Sequence, residues 1–132
     1  MKRIDLTEDF AKTLSYLSEV SWNVRKLEEI YYWRLQHGVR TYVAYTDKVI
    51  GTASLLIEYK FIHSSYAGRI EDVVVDKHHQ GKGIGKALIN HAVQEAKKLG
   101  CYKVILNCFL HNKLFYQKCG FKEQDIGMRI DL

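Results

Sequence analysis

No stretch of this 132-residue chain is apolar for long enough to be a bilayer-spanning helix, which needs roughly 18 such residues in a row. A membrane protein is therefore not expected. The opening "MKRIDLTEDF" lacks the apolar h-region of a secretory signal, and a cytoplasmic location is the expectation. Cysteine is scarce: Cys101, Cys108 and Cys119 are odd in number and form no CxxC pair. They read as reduced small hydrophobes, and neither a disulfide framework nor a zinc site is expected. The histidines show no H-E-x-x-H spacing, and adjacent His78 and His79 cannot share one helical ligand face. No metal is expected. Proline is missing altogether, and the sequence offers no physical account of that. A dense basic run is missing too: the formal net charge is +5, but the lysines and arginines are scattered. Such a pattern favours a small polyanion over nucleic acid as partner.

Hydrophobic residues make up 47% and charged residues 27% of the chain, which suits one soluble domain over residues 1–132. "KRIDL" (2–6) alternates like a short strand. Thr7 is placed to N-cap a helix carrying Phe10, Leu14 and Leu17. A second helix is predicted from Val24 to His37, with Val24, Leu27, Tyr31 and Leu35 on one face and Gly38 as its stop. "TYVAYT" (41–46) and "VIGTASLLIE" (49–58) form a hairpin, followed by a loop over 59–68 and a strand "RIEDVVVD" (69–76). After a glycine loop comes a helix over 83–99 with Ile84, Leu88, Ala92, Ala96 and Leu99 as its apolar stripe. A strand (101–108), a short helix (112–119) and a terminal strand "GMRIDL" (127–132) complete the order β–α–α–β–β–β–α–β–α–β. This is a mixed α/β domain with antiparallel strands first and one parallel crossover later.

The chemistry begins at "HHQGKGIGKALINHA" (78–92), where Gly81, Gly83 and Gly85 alternate and then become helical. Glycine there is costly unless something comes close to the backbone. A strand that runs into such a turn and a helix is an anion site, with unpaired N–H groups and the positive helix end directed outward. Lys82 and Lys86 add whole charges. A Walker A loop fails, because Gln80 stands where its first glycine should and Ala87 follows the lysine. A Rossmann loop fails at Lys86, and the next strand ends in Asn107 instead of an acid.

The pattern that fits is Q/R-x-x-G-x-G/A, with Gln80, Gly83 and Gly85 between a strand and a helix. It resembles the acetyl-coenzyme A loop of the GNAT superfamily of N-acetyltransferases, whose backbone N–H groups hold the pyrophosphate. "GTASLLIEYKFIH", "RIEDVVVD", "QGKGIGKALI" and "GCYKVILNCFLHNKLFYQKCGF" are similar, block by block over residues 50–130, to the glucosamine-6-phosphate N-acetyltransferases within it. That resemblance implies a central, mostly antiparallel sheet with one parallel strand pair splayed around acetyl-CoA. It also implies transfer of the acetyl group to the 2-amino group of glucosamine 6-phosphate, and a homodimer with shared active sites.

By the same resemblance, acetyl-CoA is held by the backbone of Val73, Val74 and Val75 and by Gln80, Gly81, Lys82, Gly83, Ile84, Gly85 and Lys86. Asn112 also binds acetyl-CoA, and Asn107 and Tyr116 contribute near the thioester. The amino-sugar phosphate is met by Ser18, Lys60, Phe61, Ile62, His63, Glu71, Asp72, Tyr102 and Lys103. Consecutive Glu71 and Asp72 are expected on opposite faces of their strand, one serving the sugar and the other bracing the strand or meeting a partner chain. The catalytic residues are Asp72, Asn107 and Tyr116. The amine loses its proton to a nearby carboxylate or carbonyl, the backbone of Val73–Val75 meets the developing oxyanion, and the Tyr116 phenol donates to the departing thiolate. No covalent acyl-enzyme is required.

Two positions depart from the family pattern. Asn107 stands where an aspartate is frequent, and Asp131 where an arginine reaches substrate phosphate across a dimer. Arg129, two residues earlier and on the same strand face, together with Lys60 or Lys103, is the expected source of that charge. A different small amine or protein N-terminus as acceptor, and a noncatalytic acetyl-CoA-binding module, stay open.

Overall fold

The computed structural model describes residues 5–18, 20 and 23–132. Helices α1 (Glu8–Ser15) and α2 (Val24–Gln36) precede strands β1 (Val39–Tyr45), β2 (Val49–Lys60) and β3 (Ser65–Val75). Helix α3 (Ile84–Lys98), strand β4 (Cys101–Ile105) and helix α4 (Lys113–Lys118) follow. The sheet runs β1-β2-β3-β4, with the first two pairings antiparallel and β3–β4 parallel. This is the mixed sheet with one parallel pair that the sequence implied.

The helix ends follow local chemistry. Thr7 Oγ1 accepts the Phe10 N–H at 3.2 Å and Asn23 Oδ1 accepts the Lys26 N–H at 3.2 Å, so both N-caps are occupied by side chains. Gly38, at φ +76°, takes the left-handed position after α2. The sheet is covered on both faces. Leu6, Phe10, Ala11, Leu27 and Val49 are buried under α1 and α2. Leu55, Ile70, Ile89, Ala92 and Ala96 are buried under α3. The α3 stripe is thus Leu88, Ile89, Ala92 and Ala96, with Ile84 and Leu99 only half-buried at its ends. On α2, Leu27 is buried and Tyr31 packs beside it, whereas Val24 and Leu35 face solvent.

Four expectations are corrected. The strand over 2–6 lies mostly outside the described residues, and Asp5 and Leu6 are not strand. The loop over 59–68 is instead the end of β2, a four-residue turn and the start of β3, with Tyr59 stacked on Tyr66 at 4.7 Å across the pair. Its turn chemistry was hidden, because His63 (φ 67°) and Ser64 (φ 46°) take the left-handed positions usually given to Gly or Asn. The strand after α3 stops at Ile105, short of the predicted residue 108. Residues 127–132 form no strand, and Ile126, Met128, Ile130 and Leu132 all stand exposed. Their two-residue spacing has strand character, but among the described residues no strand edge pairs with them.

Candidate active site

The parallel ladder between β3 and β4 ends at Arg69 and Ile105, while β3 continues to Val75. Beyond that point the two chains part. One side of β3, including the Val73–Val75 segment, is left without β4 as a hydrogen-bonding neighbour, and Asn107 lies on the departing chain. The wedge is open because β4 is short.

At the end of β3 the chain turns into the glycine loop. Asp76 is buried, and its Oδ1 accepts the His78 backbone N–H at 2.8 Å and lies 3.3 Å from His79 Nδ1. Its own N–H donates to Ile50 O at 2.7 Å. The Gln80 amide closes the turn by donating to Val75 O at 3.1 Å. The Gln80 side chain therefore braces the loop. Asp76 is a supporting residue that motif matching missed; the signal was an acid directly after a valine run. The backbone bond from His78 and the nearby His79 hold its carboxyl below the usual value of 3.8. A lowered acid pKa contributes stability above the unfolded value, lost as pH falls through the folded one. Thermal unfolding of the wild type should accordingly lose stability below about pH 4, and Asp76→Asn should flatten that acid limb. An unchanged limb would contradict the role.

The three glycines divide into two groups. Gly81 and Gly83 both have φ +80°, and a Cβ added at either would meet no atom within 4 Å. Gly83 is also the N-cap of α3 and makes no side-chain cap. The first α3 N–H paired with the loop is that of Ala87, which donates to Gly83 O at 3.0 Å, so those of Ile84, Gly85 and Lys86 have no intrahelical acceptor. Lys82 and Lys86 stand beside them, in no ion pair among the described residues. Open space, free donors and positive charge fit a pyrophosphate. Gly85 differs: a Cβ there would lie 3.3 Å from Phe115 Cζ and 3.6 Å from Val75 Cγ2. It is small because α3, α4 and β3 meet there.

That contact sets α4, and with it Tyr116, beside the start of α3. The Tyr116 ring is half-buried, edge-on to Phe115 at 5.0 Å and to Phe121 at 6.2 Å. Burial, then the neighbouring Cys108 and Cys119, raise its phenol above 10.0. Asn112 is the N-cap residue of α4 without a side-chain cap bond. Asn107 lies under the C-terminal segment, where a Cβ on Gly127 would come 2.9 Å from its Nδ2.

On the opposite face of the sheet a cavity of about 380 Å³ opens between α1, α2 and the strands. Asp72 reaches it through a β-bulge: Thr52 pairs with Val74 and Ser54 with Glu71, so Asp72 and Val73 together oppose Ala53. Asp72 takes φ +52° there. The bulge overturns the expected alternation. Glu71 lies opposite Ser54, which lines the cavity, so Glu71 and Asp72 share that face of the sheet. Ser18 lines the cavity as well. Glu71 also faces Arg69, at 3.9 Å.

The remaining predicted residues gather elsewhere. His63 lies 4.8 Å from the Tyr102 ring, and Lys103 Nζ is 5.4 Å from it. Lys60 pairs with Glu58 at 3.4 Å, Phe61 is fully in solvent, and Ile62 is exposed. Tyr102 and Lys103 fall between the Tyr66 and Gly68 registers of β3, four to six residues from Asp72, about 13–20 Å at strand rise, and His63 lies farther still. One chain therefore does not bring this cluster to the cavity. Arg129 and Asp131 bind each other: Nη2 lies 2.5 Å and Nε 2.7 Å from Asp131 Oδ1. Among the described residues no three His, Cys, Asp or Glu side chains gather as a metal ion would need.

The sequence and the fold both have known relatives. The family model described as Acetyltransferase (GNAT) family matches residues 4–121. The chain belongs to the GNAT acetyltransferase family. That membership implies acetyl-CoA as co-substrate, which the open glycine loop fits. A glucosamine 6-phosphate N-acetyltransferase of Arabidopsis thaliana is 42% identical over 106 residues, which are 79% of this chain and 71% of that protein. One from Trypanosoma brucei brucei is 46% identical over 88 residues, 66% of this chain and 60% of that protein. Among solved structures, a Trypanosoma brucei acetyltransferase superposes with TM-score 0.93 at 36% identity, covering 100% of this chain and 96% of its own. The Arabidopsis thaliana glucosamine-6-phosphate N-acetyltransferase gives TM-score 0.89 at 34% identity, with 99% and 94% covered.

Proposed function

We propose that this GNAT acetyltransferase acetylates the 2-amino group of glucosamine 6-phosphate by direct attack of the amine on the acetyl-CoA thioester. The observation that carries this reading is the 42% identity to the Arabidopsis relative of that name, and a cavity lined by both Asp72 and Ser18 supports it. Acetyl-CoA supplies the activated acetyl group. The free N–H groups of Ile84, Gly85 and Lys86 hold its pyrophosphate, with Lys82 and Lys86 adding charge. Backbone donors of Val73–Val75 face the acetyl carbonyl, where one such bond is worth about 3 kcal/mol of barrier. Asp72 takes the proton of the ammonium substrate, Glu71 and Ser18 meet the sugar, and Asn107 and Asn112 border the thioester. Tyr116 donates to the departing thiolate. Fixing amine and thioester side by side supplies most of the rate.

The His63, Tyr102 and Lys103 cluster serves the site of a second copy, because it is too far along β3 to reach a sugar at its own Asp72. An exposed apolar tail, Ile126 to Leu132, supports that pairing, as an unpaired strand-like segment invites an edge. Sedimentation at micromolar concentration should give twice the protomer mass; a persistent single protomer overturns the shared site. The acceptor is tested by thiol release from acetyl-CoA against glucosamine 6-phosphate, glucosamine, polyamines and peptides. The amino-sugar phosphate should be fastest. Turnover of another amine with none on glucosamine 6-phosphate would overturn the reading.

A further inference from the structure

An amine acceptor with a phosphate needs a cation as well as Asp72; Arg129 is held by Asp131, Lys60 pairs with Glu58, and Lys103 lies over the Tyr102 ring outside this cavity. The cavity itself offers Arg34. Leu27, Tyr31 and Arg34 fall at i, i+4 and i+7 of α2, so Arg34 continues the face that packs on the sheet. Its guanidinium is half-buried and reaches across β1 and β2, where Nη2 donates to Ser54 Oγ at 2.5 Å and to Thr41 Oγ1 at 3.4 Å. Both acceptors are neutral hydroxyls. Among the described residues no carboxylate lies within ion-pairing distance of Arg34.

A guanidinium carries five donors, and these two bonds use Nη2 alone. The Nη1 and Nε hydrogens remain as charge-assisted donors for an anion. A partly desolvated cation without a counter-ion is unfavourable unless an anion joins it. Lys26 lines the same cavity but is paired with Glu29 at 3.0 Å. Arg34 and Asp72 thus place opposite charges on the wall of one cavity of about 380 Å³, within the size range of small-molecule sites. Ser54, which anchors Arg34, pairs with Glu71, the neighbour of Asp72. The Ser54 anchor of Arg34 and Asp72 belong to adjacent strands, and both charges line one cavity.

We infer that Arg34 is the anion-binding residue of the acceptor site and selects an amine that also carries a phosphate. The identity of that anion rests on the acceptor proposed above; the anion site does not. The test pairs binding with kinetics. Glucose 6-phosphate, which has the phosphate and no amine, is titrated calorimetrically into the wild type, Arg34→Gln and Arg34→Lys. In parallel, kcat/KM is measured for glucosamine 6-phosphate and for glucosamine. Arg34→Gln should weaken glucose 6-phosphate and lower the preference for the phosphorylated amine, each by about 10- to 100-fold, the range for a lost charge-assisted bond. Arg34→Lys, which keeps the charge and any fold that depends on it, should recover part of both.

An equal loss on glucosamine, or no loss of preference, overturns the inference. So does a wild type that does not bind glucose 6-phosphate. Binding that depends on Arg34 in a protein that fails to acetylate glucosamine 6-phosphate would instead remove the proposed acceptor and leave the anion site standing.

Discussion

Replacing Tyr116 with phenylalanine is expected to lower kcat about 100-fold, the low end for loss of a proton donor, with the KM of both substrates within about a factor of two. The reason lies in how the ring is held. Phe115 and Phe121 meet it edge-on, and it packs against the core under α3. Phenylalanine keeps every one of those contacts and removes only the hydroxyl. Burial, with Cys108 and Cys119 adding to it, raises the phenol pKa, so the proton stays on the oxygen at neutral pH and above. The wild type should then show no alkaline loss of activity from this group below the ordinary tyrosine value of 10.0. A thiolate leaving without that donor carries its full charge in the wedge, and the chemical step slows while binding does not. An unchanged kcat would remove Tyr116 from the mechanism.

Gly83→Val should raise the KM for acetyl-CoA by at least about 10-fold while the protein still folds. At φ +80° a β-branched residue is strained, at a cost on the order of 1–3 kcal/mol, and its side chain fills space that no protein atom occupies. That space lies in front of the free N–H groups of α3, so the added carbons displace the anion. Gly85→Val is the contrasting variant. Its Cβ meets Phe115 and Val75, and overpacking of this kind costs roughly 1–3 kcal/mol, seen as a lowered Tm. Titration of acetyl-CoA and a thermal melt of each variant separate the two roles. Equal behaviour of the two variants would contradict the division of the loop into a ligand-facing and a packing glycine.

Elements with strong local chemistry were legible from the sequence. Thr7 caps α1, Gly38 ends α2, and the stripe through Leu88, Ala92 and Ala96 sets α3 against the sheet. The anion loop could be named from Gln80, Gly83 and Gly85, although the role of Gly85 could not, since Phe115 approaches it from 30 residues away. Features set by pairing were not legible. "EDVVV" reads as plain alternation, and nothing in its residue types marks the bulge that turns Asp72 to the cavity beside Ser54. The tight turn at His63 and Ser64 used residues that seldom take positive φ. "GMRIDL" has the period of a strand, but a strand exists only with a partner, and a single chain provides none among the described residues. Arg34 escaped notice as one polar residue in an amphipathic helix; the available signal was its seven-residue offset from buried Leu27.

The most direct test of the central claim follows the acetyl carbon. Acetyl-CoA labelled with 13C in its carbonyl is mixed with the protein and glucosamine 6-phosphate, and the product is read by NMR. The label should appear as an amide on the 2-nitrogen of the sugar phosphate, in step with release of one free thiol. Label remaining in acetyl-CoA, or carried to the protein or to a sugar hydroxyl, would contradict it.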